Sequence, residues 1–289
     1  MNPIAIILII VSALLHAIWN LLAKKSRNKI VYNWYIILFG PIIFFPVFLY
    51  FLFTKQIPAI GWLFITLSGF FIMAYFYFLG KSYQHGHLSL TYPIARSATI
   101  FVPFLAAIII KEKISSTGIF GIIIILIGIY ILHLRSFKLK SFLKPLKYIR
   151  EKATIFALLT ALFSSFYQVN DKIAVGFVYP FLYICLVWVV SSIFYLPIIF
   201  NKKNHKDIKI EWKINKKSIL ISAFLNILSY VMILFALTID KVSYIVALRQ
   251  ISIIFGVMLG SILLKEAYGK IRLIASTIMF IGFFLVAIA

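Results

Sequence analysis

The chain has 289 residues, of which 63% are hydrophobic and only 12% charged, against roughly a quarter charged in soluble domains. With a mean hydropathy of +1.06 it reads as an all-α, polytopic integral membrane protein. A net charge of +22 would suit nucleic acid if the cations formed a water-facing surface, but 27 of the 29 Lys and Arg fall in short connections between apolar runs, which excludes a nucleic-acid partner.

A helix needs about 20 mostly apolar residues to cross a hydrocarbon layer of roughly 30 Å, and polar breaks mark off ten such spans. The first, 3–23, is apolar from Pro3 to Leu15 apart from Ser12, then admits His16, Trp19 and Asn20 before Lys24. No Lys or Arg precedes Lys24, so the positive segment of a cleavable signal is missing and the run is expected to span. His16, Asn20 and Lys24 are four apart and stack on one helix face, with Trp19 beside them. Spans two and three are 31–53 and 58–80; around the end of the latter, FFIMAYFYFLGKSYQ (70–84) puts Tyr75 and Tyr77 where one would line a cavity. The fourth, 88–110, carries Tyr92, Pro93 and Arg96, and the fifth, 115–134, carries Gly118, Gly121 and Gly128.

The basic stretch 136–152, with Pro145, is the expected join of two units, 1–140 and 141–289. Span six, 153–173, repeats the stripe as Ser164, Gln168 and Lys172, with Tyr167 in the place of Trp19. Span seven, 179–200, is followed by the basic connection 201–217 and span eight, 217–238. The ninth, 243–264, holds Arg249, Gln250 and the pair Gly256 and Gly260; the tenth is 269–288. The glycines are expected to serve close packing inside the bundle.

The second unit echoes the first. A shift of 154 lays residues 89–112 on 243–266, and a shift of 148 lays 13–24 on 161–172, matching Lys24 with Lys172 and setting Asn20 opposite Gln168. Five spans per unit is odd, so the second copy is expected to run upside down. Such inverted repeats recur in secondary transporters, where two halves rock about a site near the midplane.

Two five-span units, HAIWN with a terminal lysine in the first span, YPIARSATIFVPFLAAIIIKEKIS in the fourth and LRQISIIFGVMLGSILLKE in the ninth together resemble the EamA family of the drug/metabolite transporter superfamily over nearly the whole chain. The resemblance implies that helices one to four and six to nine enclose a central cavity, with five and ten outside it. It leaves the cargo open, since members move amino acids, sugars, nucleotide derivatives and drugs.

Positive residues favour the cytoplasmic side. The odd-numbered connections carry 22 Lys or Arg and the even-numbered ones 5, which puts both termini outside a cell (inner) membrane and the basic connections, 201–217 included, in the cytoplasm. Lipid headgroup contact accounts for those loops without a substrate role.

Inside the spans, hydrocarbon offers polar groups no partners. The two stripes therefore face either a wet cavity or neighbouring helices, to which Asn20 and Gln168 would bond for about 1 kcal/mol. Arg96 and Arg249 lie about two turns from the nearest loop, where a charge costs on the order of 2.5 to 3.5 kcal/mol or more unless paired or hydrated. All seven acids sit in loops or at span ends, so no carboxylate is expected at their depth. Unpaired guanidinium groups suit an anion or carboxylate-bearing substrate; the other account is that each bonds carbonyls of a broken helix, as Pro93 would free for Arg96. No span offers a glutamate for exchanging drug against protons, which leaves His16 as the candidate for proton coupling.

The sequence thus points to a secondary transporter of a small polar, carboxylate-bearing metabolite such as an amino acid. His16, Trp19, Asn20, Tyr92, Arg96, Tyr167, Gln168, Arg249 and Gln250 are the expected substrate-binding residues. A multidrug exporter and a lipid-intermediate translocase are the alternatives on the same fold. No HExxH, paired acids or cysteine nucleophile appears in the spans, so no enzyme is expected. The single cysteine, Cys185, offers no disulfide or Cys-based metal site, and no metal or cofactor is implied. The expected partners are the substrate and the bilayer, with the chain a monomer or homodimer.

Overall fold

The computed structural model describes residues 3–109, 115–132, 134, 150–239, 245, 249–265 and 269–287. The join at 136–149, Glu112, Asp240 and Glu266 lie outside them. Every described element is helical: α1 (Pro3–Lys25), α2 (Lys29–Ile43), α3 (Phe45–Thr54), α4 (Ala59–His85), α5 (Leu88–Ala95), a 3₁₀ turn (Ser97–Ile100), α6 (Val102–Ile109), α7 (Ser116–Leu132), α8 (Lys152–Ala174), α9 (Pro180–Ile199), α10 (Lys202–Ile239), α11 (Ile251–Leu263) and α12 (Gly269–Ala287).

Five of these helices are long and apolar enough to cross a membrane, or six with the bent pair α2 and α3. Their outward faces are apolar: Ile7 is 62% exposed and Phe53 83%, which suits lipid and not water. The polar side chains are instead gathered inside, with Asn20, Asn33, Ser68 and Ser89 fully buried. Helices α4 and α8 pack along one another, as do α1 with α10 and α7 with α12. Small residues permit these approaches: a side chain at Gly128 would collide with Met279, and one at Gly282 with the Gly121 carbonyl.

Two of the expected spans are bent or broken, and one expectation about a connection is corrected. The second span is not straight but turns by 64° between α2 and α3, because Pro46 has no N–H for the carbonyl one turn back and its ring crowds that carbonyl. The fourth is interrupted at Arg96, where α5 stops and the 3₁₀ turn begins. The basic segment 201–217 is no loop: α10 runs 38 residues without a break, roughly 57 Å. Lys, Glu and Asn residues that read as a solvated connection are tolerated in a helix, and this one is anchored by Glu211, which is fully buried and accepts the Asn28 N–H at 2.8 Å.

Asn28 also caps α2, its side-chain oxygen accepting from the Ile30 and Val31 N–H groups, while its amide nitrogen donates to Asn204 and Asp207. Lys24 at the end of α1 donates to the carbonyls of Tyr83 and Gly86. The connections after α1, α4 and α9 therefore meet at one end of the bundle.

Candidate functional site

Helices α1, α4, α8, α9 and α10 and the segment before α11 converge on a cavity with about 320 Å³ of unfilled space. Its wall is aromatic, from Trp19, Phe76 and Trp188, and is set with polar groups from His16, Tyr75, Tyr167, Asn226, Ser229, Tyr230 and Arg249. Among the described residues none of the lining comes from α7 or α12. The cavity is narrow: only about 20 Å³ admits the centre of a water molecule, room for about one water. The hydrated chamber expected from the sequence is thus narrow in this conformation.

The Trp19 indole donates to His16 Nδ1 at 3.2 Å, with the two rings edge to face at 4.9 Å. An accepting Nδ1 carries no proton, which puts the imidazole proton on Nε2. Nε2 is buried and has no hydrogen-bond partner. Across the cavity, Tyr75 and Tyr167 meet edge to face at 5.6 Å, and Tyr167 accepts from Ser164 at 3.1 Å. Ser12 donates to the Ser229 carbonyl at 2.6 Å, tying α1 to the lining turn of α10.

Both arginines are deep, Arg96 at 4% exposure and Arg249 at 3%. Arg96 sits on the break of the fourth span. The Arg96 N–H still reaches the Tyr92 carbonyl at 3.0 Å, beyond Pro93, and the Ser97 hydroxyl takes the Ile94 carbonyl at 2.6 Å, where the ladder gives way to a 3₁₀ turn. Position 96 shifted by 154 falls on Gln250, which forms the turn before α11. The two backbones agree: φ −86° and ψ −7° at Arg96, φ −68° and ψ −8° at Gln250. Interruptions therefore fall at corresponding positions of the two repeats, and each carries an arginine at or beside it. Among the described residues, Nε and Nη2 of Arg96 and Nε of Arg249 are buried without a hydrogen-bond partner.

Of the residues expected to bind substrate, His16, Trp19, Tyr167 and Arg249 line the cavity. Tyr92 adjoins them, its ring 6.2 Å from that of His16. Arg96 and Gln250 are buried and outside the lining. Asn20 and Gln168 turn to protein partners. Asn20 accepts the Tyr83 hydroxyl at 2.5 Å and donates to the His16 carbonyl, and Gln168 donates to the Ser164 carbonyl and hydroxyl. Lys24 also leaves the stripe for its carbonyl partners. Tyr75 lines the cavity and Tyr77 a separate one between α4 and α9.

Sequence reasoning missed Asn226, Ser229 and Tyr230 in the wall, and above all Asp171. That acid is near the end of α8 yet only 2% exposed, because hydroxyls from three other helices surround it. Ser68 on α4 donates to it at 2.6 Å, Tyr183 on α9 at 2.5 Å, and Tyr230 on α10 completes the set. The Tyr230 ring in turn lies 5.3 Å from the Arg249 guanidinium carbon. Arg272, counted from sequence among the loop cations, is likewise buried and donates to Ser89.

The profile of the EamA-like transporter family matches residues 3–134 and again 151–288, one match per repeat. A solved crystal structure shares the fold, with a TM-score of 0.64 and 14% identity over 99% of this chain and 96% of that one. No curated protein matches the sequence.

Proposed function

Since the chain belongs to the EamA-like transporter family, and is thus a multi-pass membrane transporter of the drug/metabolite superfamily, we propose that it carries a small polar, carboxylate-bearing metabolite such as an amino acid by alternating access. The observation that carries this reading is the pair of buried arginines at matching breaks, with guanidinium nitrogens that have no partner. A buried donor left unsatisfied costs about 1 to 3 kcal/mol, more when charged, and a carboxylate supplies the missing acceptors in the fork geometry that guanidinium favours. His16 Nε2 and the Tyr167 hydroxyl add donors, while Trp19, Phe76 and Trp188 enclose an apolar part of the same substrate.

In this reading the chain spans the membrane ten times. The bent pair α2 and α3 is the second span, the broken run α5 to α6 the fourth, and the segment through Arg249 into α11 the ninth. The two five-helix units, 1–140 and 141–289, are inverted about the cavity. Both termini face outside the cell membrane and the basic connections face the cytoplasm; the meeting of the connections after α1, α4 and α9 at one end supports this.

The test is uptake into proteoliposomes of a radiolabelled mixture of amino acids and small carboxylic acids, with Arg96→Ala and Arg249→Ala alongside. Saturable flux that both variants lose supports the reading. Flux of lipophilic cations alone, or carboxylate flux untouched by either variant, overturns it.

A further inference from the structure

The buried acid that the binding reading does not use is Asp171. An ionised carboxylate only accepts hydrogen bonds, and this one accepts three from three helices: Ser68 and Tyr183 at one oxygen and Tyr230 at the other. Asn170 extends the knot by donating to the Ser68 hydroxyl at 2.8 Å and to the Phe64 carbonyl. The knot joins α4 of the first repeat to α8, α9 and α10 of the second. It lies away from the end where Lys24 meets the Tyr83 carbonyl, since Ser68 and Tyr83 are 15 positions apart on α4, roughly 22 Å.

Among the described residues, the groups that face the carboxylate are few. They are the hydroxyls of Ser68, Tyr183 and Tyr230 and, beyond the Tyr230 ring, the Arg249 charge; Lys172, next on α8, is exposed. Tyr230 therefore bridges acid and base. Its hydroxyl donates to Asp171, which enriches the ring that faces the Arg249 cation. A membrane-embedded acid in such a chain is a proton-relay candidate on physical grounds.

We propose that Asp171 is a proton-binding site that latches the cavity: ionised it holds α4 against the second repeat, and protonated it lets that end open. The added proton sits on a carboxyl oxygen and makes it a donor, so the hydroxyl facing it has to turn its own proton away and the charge-assisted bond there is lost. This rests on the carrier reading for its purpose. An anion bound at Arg249 takes the charge that favours ionised Asp171, so anion and proton bind together, and the coupling role expected of His16 passes to Asp171.

The test needs no substrate. Purified protein carrying Cys185→Ser and a single cysteine at Ile72, a buried lining residue of α4, is labelled with an impermeant maleimide over a pH series. Rates are scaled to a cysteine at exposed Phe177. Acidification is expected to raise the scaled rate about tenfold, the equilibrium shift for one lost charge-assisted hydrogen bond. Asp171→Asn, which resembles the protonated acid, is expected to label at the high rate throughout. Infrared difference spectra between acid and alkaline samples are expected to show a protonated-carboxyl band component that Asp171→Asn lacks. Tyr183→Phe removes one donor to the ionised form and is expected to move the labelling midpoint to higher pH, which keeps the proposal testable where Asp171→Asn does not fold. A scaled rate independent of pH in the parent protein, an unchanged band in Asp171→Asn, or a Tyr183→Phe midpoint that stays or falls overturns the latch. Proteoliposomes that move no carboxylate while the latch titrates as described overturn the carrier reading alone.

Discussion

Trp19 fixes the chemistry of His16. Its indole N–H donates to Nδ1, so the imidazole presents a single protonated nitrogen, Nε2, and that nitrogen has no partner among the described residues. His16 then acts as a hydrogen-bond donor of fixed orientation. His16→Ala is expected to raise the KM for the transported carboxylate about tenfold, the worth of one such bond. His16→Asn, which keeps an N–H, is expected to recover most of the loss. Flux measurements over a range of substrate concentrations separate the two variants.

Arg96→Ala and Arg249→Ala are expected to abolish transport. Arg96 has no carboxylate within ion-pair reach among the described residues, so the melting temperature of Arg96→Ala in detergent is expected to stay level or rise, in contrast to the usual cost of truncating a buried paired residue. Arg249→Ala also removes the cation behind Tyr230 and Asp171 and is expected to lower it. Lysine at either position is expected not to rescue flux, because a point charge cannot reproduce the two-pronged fork. A fall of the melting temperature in Arg96→Ala would assign that arginine to the architecture instead.

Gly256→Val is expected to unseat Tyr92. A Cβ at position 256 would fall 2.4 Å from the Tyr92 ring, and overpacking of this kind costs about 1 to 3 kcal/mol. The expected readout is a lower melting temperature together with weakened binding, since Tyr92 adjoins His16. The same contact places Gly256 inside one chain, where the glycine pair was expected to serve.

Asn28→Ala is expected to loosen the end of the bundle where the basic connections meet. The substitution removes the cap of α2, worth about 1 kcal/mol, and the side-chain bonds to Asn204 and Asp207. Faster amide hydrogen exchange at residues 30–33 and 204–211, with the cavity residues unaffected, is the expected pattern.

Single cysteines at the exposed positions Lys209 and Lys213, in a Cys185→Ser background, are expected to react with an impermeant reagent only after the cells are opened. Labelling of intact cells would place the basic end of α10 outside and reverse the proposed topology.

Much of this was legible in the sequence because bilayer physics writes it there. Apolar runs follow from the cost of exposing backbone to hydrocarbon, the same cost for charge made Arg96 and Arg249 stand out, and the 154-residue echo paired their surroundings. Other features depend on partners distant along the chain. Asp171 read as a residue at a span end because distance along a helix says nothing of what surrounds it; Ser68, Tyr183 and Tyr230, from three other helices, make it interior. Residues 201–217 read as a loop because charge density resembles solvation, whereas the Asn28 to Glu211 bond shows a helix docked on its neighbour. Asn20 and Gln168 were placed on a common face by periodicity, which cannot tell a binding wall from a seam between helices.

The unbroken run of α10 gives the molecule a pointer. Tyr230 borders the cavity and Lys206 stands at the far, solvent-facing end of the same helix, 24 positions away, about 36 Å along a stiff rod. A tilt of only about 5° at the tyrosine sweeps the lysine through about 3 Å, so a spin label or a bound antibody fragment at that tip would read out each half-cycle from outside the bilayer.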